Sequence, residues 1–153
     1  MKNLIYLFVT FFVLSCTNET KKVNTSLTKN SDSKAITFII DLAVNADSNE
    51  DLTLFSQEIT NNVLQTEDFC LEYGYYVSED GNSVTLYEKY IDSESAIKHG
   101  QNFMDGPFFE RFFNLFTLNK FIVTGPASDE FKKFTSENGF VIEYRNSIDG
   151  FTR

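Results

Sequence analysis

His99 is the only histidine in the chain, and so the only side chain whose ordinary pKa lies near neutrality by residue type. As a base or an orienter for a phenolic substrate it would need its second ring nitrogen held, and Glu88 is the carboxylate placed to hold it. The same pair also suits an imidazole packed between helix and sheet, with Glu88 satisfying a buried ring N–H. Tyr73, Tyr75, Tyr87 and Tyr90 can line a pocket, their hydroxyls placing a ligand in otherwise apolar surroundings. They can equally pack in a sheet or at a dimer seam. Tyr73 and Tyr75 share one face of their strand, and Phe103 belongs to an aromatic run continued by Phe108, Phe109, Phe112 and Phe113. Such a run walls an aromatic ligand or simply fills a core. The candidate substrate-binding set is therefore Tyr73, Tyr75, Tyr90 and Phe103, with His99 and Glu88 as the catalytic candidates.

Other chemistries lack their parts. With one His and two Cys there is almost nothing from which to build a Cys/His zinc site, and no metal is expected. Asp80-Gly81-Asn82 is too short for a calcium loop. No phosphate-cradling glycine loop, nucleophile elbow or paired-carboxylate spacing stands out. A net charge of −9 opposes nucleic-acid binding, which needs a basic patch. Arg111 is expected to form a surface ion pair, and Glu50-Asp51 and Asp129-Glu130 to favour the first turns of helices.

The N-terminus reads as an address. Lys2 precedes an apolar run, Leu4 to Leu14, broken only by Thr10 and too short to span a bilayer with margin. It ends in Val13-Leu14-Ser15-Cys16, which resembles the lipobox of bacterial lipoproteins; the other reading is an ordinary cleaved signal peptide. Acyl chains on Cys16 would anchor the protein to a membrane, each buried CH₂ contributing about 0.8 kcal/mol. Residues 1–15 are then a signal peptide and 16–34, rich in Thr, Asn, Ser and Lys, a flexible tether. That places the domain in the cell envelope, on the periplasmic or extracellular side. Cys70, between Phe69 and Leu71, is expected to be a small buried hydrophobe.

The elements that must position the candidates follow from periodicity. Ala35 to Val44 is an apolar, β-branched strand with Ile36, Phe38, Ile40 and Leu42 on one face. Ser48 and Asp51 suggest an N-cap pair for a helix to about Gln65, with Leu52, Phe55, Ile59 and Val63 as its stripe. Phe69–Ser78 and Ser83–Ile91 flank a glycine-centred turn and form a hairpin. Asp92 or Ser93 caps a helix to about Met104 that carries Ala96, His99, Gly100 and Phe103 on one side. Pro107 starts a short helix bearing Phe108, Phe109, Phe112, Phe113, Leu115 and Phe116. A strand over Lys120–Thr124, a helix capped by Ser128 and ended by Gly139, and a strand over Phe140–Arg145 complete the chain. The class is α+β, a ferredoxin-like βαββαβ unit over 35–125 with a C-terminal helix-strand extension over 126–153. Helices on one side leave a bare sheet face expected to pair with a second copy and enclose an apolar cavity, giving a homodimer.

Glu88-Lys-Tyr90-Ile-Asp92-Ser-Glu94-Ser-Ala96-Ile-Lys-His99 resembles the signature of the antibiotic-biosynthesis monooxygenase family. The Glu72-Tyr73-Gly74-Tyr75 strand and the first strand and helix fall in that family's order, and the resemblance covers about Ile36 to Thr124. It implies a dimeric α/β barrel, and in some members oxidation of quinols or aromatic polyketides by O₂ with no metal or flavin. Haem-degrading relatives use a Trp that this chain lacks. The expectation is a membrane-tethered, cofactor-independent monooxygenase acting on a quinol-like or aromatic small molecule. The alternative is a non-catalytic lipoprotein that binds a small hydrophobic ligand or serves as a structural dimer.

Overall fold

The computed structural model describes residues 26–152. In chain order its elements begin with β1 (Thr28–Lys29), β2 (Ile36–Val44), α1 (Leu52–Thr66), β3 (Cys70–Val77), β4 (Ser83–Tyr90) and α2 (Ser93–Asp105). They continue with α3 (Phe109–Leu115), β5 (Phe116–Thr124), α4 (Asp129–Glu137), β6 (Glu143–Arg145) and β7 (Phe151–Thr152). Five strands form one sheet in the order β3-β4-β2-β5-β6, antiparallel except for the β5–β6 pair. The first four are the ferredoxin-like βαββαβ unit, and α4 with β6 is the C-terminal extension. No helix among the described residues is long and apolar enough to cross a membrane.

Alternation decides which sheet face the helices cover. Ile36, Phe38, Ile40 and Leu42 of β2 are buried, and register places Glu88 and Leu86 of β4 beside Phe38 and Ile40. Tyr73 and Tyr75 of β3 pair with Glu88 and Leu86, so they point to the same side. Phe38 packs against Tyr90, Phe121 and Phe131 at ring-centroid distances of 5.1, 5.1 and 5.6 Å, joining the sheet to α4. The opposite face is mixed: Thr37, Ile39 and Asp41 of β2 lie beside Lys89, Tyr87 and Thr85 of β4.

Bulky apolar side chains congregate on the helix-covered face, and an apolar chamber lies between sheet and helices within one chain. The bare face also has a neighbour: β1 pairs with β7, Thr28 opposite Thr152 and Lys29 opposite Phe151. Residues of β7, of the segment that follows β1 and of the bare face border a groove of about 530 Å³. The tether expected over 16–34 is therefore ordered in its last part, from Thr28 on. The signal peptide and Cys16 lie outside the described residues.

Several element ends differ from expectation. Asp51, not Ser48, caps α1, its carboxylate accepting the Leu54 N–H at 2.8 Å. Ser48 Oγ instead accepts from the Glu50 N–H at 3.2 Å. Phe116 is the first residue of β5, so α3 stops at Leu115 and the strand starts four residues before Lys120. Asn45 enforces that stop: its backbone N–H donates to Leu115 O and its amide to Asn114 O, at 2.8 and 3.1 Å. The last strand shrinks to Glu143–Arg145 because Phe140 and Ile142 pack onto the core. Cys70 is only half-buried and lies on the β3 edge, its Sγ 3.3 Å from Glu72 O. Burial, with Glu88 and Glu67 nearby, pushes its thiol up to about 12.

Candidate active site

Glu88 stands at the centre of the sheet, on its covered face, with β2 on one side and β3 on the other. α2 passes over it and brings His99 down, capped at its start by the Asp92 carboxylate on Ser95 N–H at 2.9 Å. Both side chains are buried, His99 at 7% and Glu88 at 3% exposure. The imidazole is not held by Glu88 as the sequence suggested. Its Nδ1–H donates to Oε2 of Glu67 at 2.8 Å, while Nε2 lies 3.7 Å from Glu88 Oε2, beyond hydrogen-bond reach. Glu88 Oε2 is occupied by the Tyr90 hydroxyl at 2.9 Å.

Glu67 is the member of this buried cluster that the sequence did not point to. It is the C-cap of α1, where its N–H donates to Val63 O at 2.9 Å. There the chain turns towards β3 and drops the carboxylate against α2. Asn102, three residues after His99 and hence on the same side of α2, donates to Glu67 Oε1 at 3.0 Å. That spacing was a readable signal; Glu67, one of 22 acidic residues, carried none.

The cluster settles its own charges. Burial disfavours an imidazolium, but the Glu88 charge and the hydrogen bond to Glu67 outweigh it and hold the His99 pKa above its ordinary value. Burial likewise opposes the Glu67 anion, but the His99 hydrogen bond and charge leave its pKa lowered. For Glu88 burial prevails, and its pKa is raised despite His99 and Tyr90. The arrangement favours an imidazolium on an anionic Glu67, and gives the second carboxylate, Glu88, an enhanced affinity for a proton. Burial also keeps the hydroxyls of Tyr73 and Tyr90 protonated.

These groups meet an apolar cavity of about 70 Å³ enclosed by α2, α3, α4 and the sheet. Eight phenylalanines line it, with Tyr73, Glu88, His99 and Thr135 as its polar members. Glu88 Oε1 and His99 Nε2 accept or donate no hydrogen bond, yet no fully buried side-chain polar atom among the described residues lacks a partner. Neither atom is therefore sealed off, and of the two cavities that His99 borders this one is also lined by Glu88.

Of the other candidates, Tyr73 and Phe103 reach the cavity, Phe103 stacked on His99 at 6.3 Å. Tyr75 and Tyr90 do not. Tyr90 is wholly buried and acts through Glu88, whereas Tyr75 shares a 3.2 Å hydroxyl contact with Tyr73 and borders a separate groove beside α1. Tyr87 lies on the bare face. Arg111 binds Glu50 through two nitrogens and Glu58 through the third, at 2.8 to 2.9 Å, and covers the Phe55 ring. Glu50 is thus an ion-pair partner and not a dipole-favouring acid within the helix. No group of three metal-ligating side chains occurs among the described residues.

No family model matches the chain, and no curated protein matches it. Among solved structures it is similar to MupZ from Pseudomonas fluorescens, at 18% identity and a TM-score of 0.65, over 79% of this chain and 96% of that one. A variant of SnoaB, a cofactor-independent oxygenase from Streptomyces nogalater, aligns at 13% identity and a TM-score of 0.45, over 63% and 96%. A Chloroflexus aurantiacus protein provisionally called an antibiotic biosynthesis monooxygenase aligns at 13% identity and 0.43, over 61% and 94%. The likeness to MupZ extends past the βαββαβ unit in its coverage and is a likeness of fold: the chain has the ferredoxin-like α+β architecture.

Proposed function

We propose that the chain is a cofactor-independent monooxygenase acting on a quinol-like or aromatic small molecule held in the cavity beneath α2. The observation that carries this reading is the open edge of His99 beside the open oxygen of Glu88 at the wall of an otherwise apolar chamber. Direct reaction with O₂ requires an electron-rich substrate, and ionising a phenolic hydroxyl supplies one. Glu88, whose Oε1 carries no hydrogen bond and whose pKa is raised, is cast as the proton acceptor, and His99, whose contact with Glu67 favours the imidazolium, as the cation that stabilises the resulting oxyanion. This reverses the part first assigned to His99 as base. The Glu88-to-His99 resemblance to the antibiotic-biosynthesis monooxygenases supports the same reaction.

The test is O₂ uptake with a panel of hydroquinones, comparing wild type, His99→Ala, Glu88→Gln and an unfolded control. Wild type should exceed autoxidation, and each variant should fall by about 10² or more. Turnover no faster than autoxidation removes the enzyme reading. At about 70 Å³ the cavity is smaller than the roughly 150 Å³ of an apolar cavity that takes up benzene, so an aromatic molecule enters only as a lining side chain moves aside, whether or not turnover follows. Native mass spectrometry of the purified protein would then reveal a retained apolar molecule.

We further infer a homodimer through the bare sheet face and a lipid anchor on Cys16. The anchor rests on the lipobox-like Val13-Leu14-Ser15-Cys16 alone. Cys16→Ala should release the protein from the membrane fraction and make its processing insensitive to globomycin; continued retention would end the idea.

A further inference from the structure

We propose that Phe134, seated on Gly100, sets the size of molecule that the cavity accepts, which makes the C-terminal extension the specificity element of the site. The proposal rests on the cavity reading above but not on any turnover in it. Seven of the eight phenylalanines lining the chamber are engaged in ring–ring contacts. Phe38, Phe121 and Phe131 pack together, Phe103, Phe112 and Phe113 form a second group, and Phe140 abuts Phe121. Phe134 is the exception among the described residues: it makes no ring contact and is only half-buried. What holds it is glycine. A Cβ at position 100 would meet Phe134 Cε1 at 2.8 Å, so the ring lies directly on the α2 backbone, one residue after His99.

The helix carrying Phe134 is itself fixed. Ser128 N–H donates to Ser93 Oγ at 3.0 Å at the start of α4, and Thr135 Oγ1 shares a 2.7 Å contact with the Tyr144 hydroxyl on β6. A fixed helix carrying one half-buried ring outside the interlocked set lets that single side chain decide the available space. The interlocked rings resist displacement because moving one disturbs its neighbours. With about 70 Å³ open, against roughly 150 Å³ for a cavity that takes up benzene, even a single-ring molecule needs Phe134 to yield, and the space its ring fills is closed to a second fused ring.

Binding of phenol and of 2-naphthol to the full chain, measured by calorimetry, tests this without reference to O₂. Wild type should favour phenol, and Phe134→Ala should tighten 2-naphthol at least tenfold while changing phenol little. Phe134→Leu, which keeps an apolar side chain, should give an intermediate gain, and circular dichroism checks that both variants fold. Equal affinity of wild type for the two probes, or no gain in either folded variant, overturns the proposal. A size effect without O₂ uptake keeps the gate and removes the enzyme; O₂ uptake with no size effect does the reverse.

Discussion

An imidazole between two buried carboxylates shifts the proton affinity of each group in a different direction. Burial opposes both anions, but the hydrogen bond from Nδ1 and the His99 charge leave the Glu67 pKa lowered, whereas burial prevails at Glu88, 3.7 Å from Nε2, and leaves its pKa raised. The signs follow. With its pKa raised, His99 stabilises the fold fully below the ordinary imidazole range, and that contribution is lost as pH rises through its folded-state value. With its pKa lowered, Glu67 contributes above the ordinary carboxylate range and loses that contribution as pH falls through its folded-state value. Glu67→Gln keeps an acceptor for Nδ1–H but deletes one charge, so the His99 titration followed by NMR should move to lower pH. Stability in mild acid should drop by about 1–3 kcal/mol, read by urea unfolding. An unmoved titration would mean that Glu67 does not set the charge of His99. The sequence showed His99 and Glu88 as a pair because they fall within one local motif. It concealed Glu67 because that partner arrives through a turn 32 residues away.

At the scale of elements, the hydrophobic periods placed every major helix and strand of the sheet, since each buries a face that repeats at 2 or 3.6 residues. Ends escaped where a distant residue fixes them. The run Phe112-Phe113-Asn114-Leu115-Phe116 is apolar in either geometry, and the amide of Asn45, some 70 residues earlier, decides that the helix stops at Leu115. The β1–β7 clasp is two residues long on each side, too short to leave a period. The extension was legible as a helix and a strand but not as part of the site, because only the fold brings α4 against α2. Ser93 makes that junction: its hydroxyl accepts the Ser128 N–H at 3.0 Å and lies 3.5 Å from Pro126 O. Ser93→Ala leaves the Ser128 N–H without its partner, a loss of about 1–3 kcal/mol. Hydrogen exchange should accelerate across α4 while the β2 amides remain protected. Uniform acceleration of both would show that α4 does not open separately from the sheet.

At the scale of the whole molecule, the cavity and the proposed dimer are separable: the chamber is lined by residues of one chain, beneath its own helices. The bare sheet face still presents Ile39, Tyr87 and Ile122, all half-buried, together with an exposed Tyr76, among Thr, Lys and Asp side chains. The β1–β7 clasp borders the end of this face near Thr37 and Lys89, which leaves the Thr85 and Asp41 end free to meet a second copy. A stable contact needs about 1,200 Å² or more of buried surface, and a charge placed at its centre should break it. Light scattering at micromolar concentration should therefore give twice the monomer mass for wild type. Ile39→Glu, on the bare face and away from the cavity, should give the monomer mass with unchanged circular dichroism. Aromatic binding should persist in that monomer, since no lining residue has been altered. A wild-type monomer rules out sheet-to-sheet pairing and leaves the chamber as it is; loss of binding on dissociation would show that the partner copy completes the site after all.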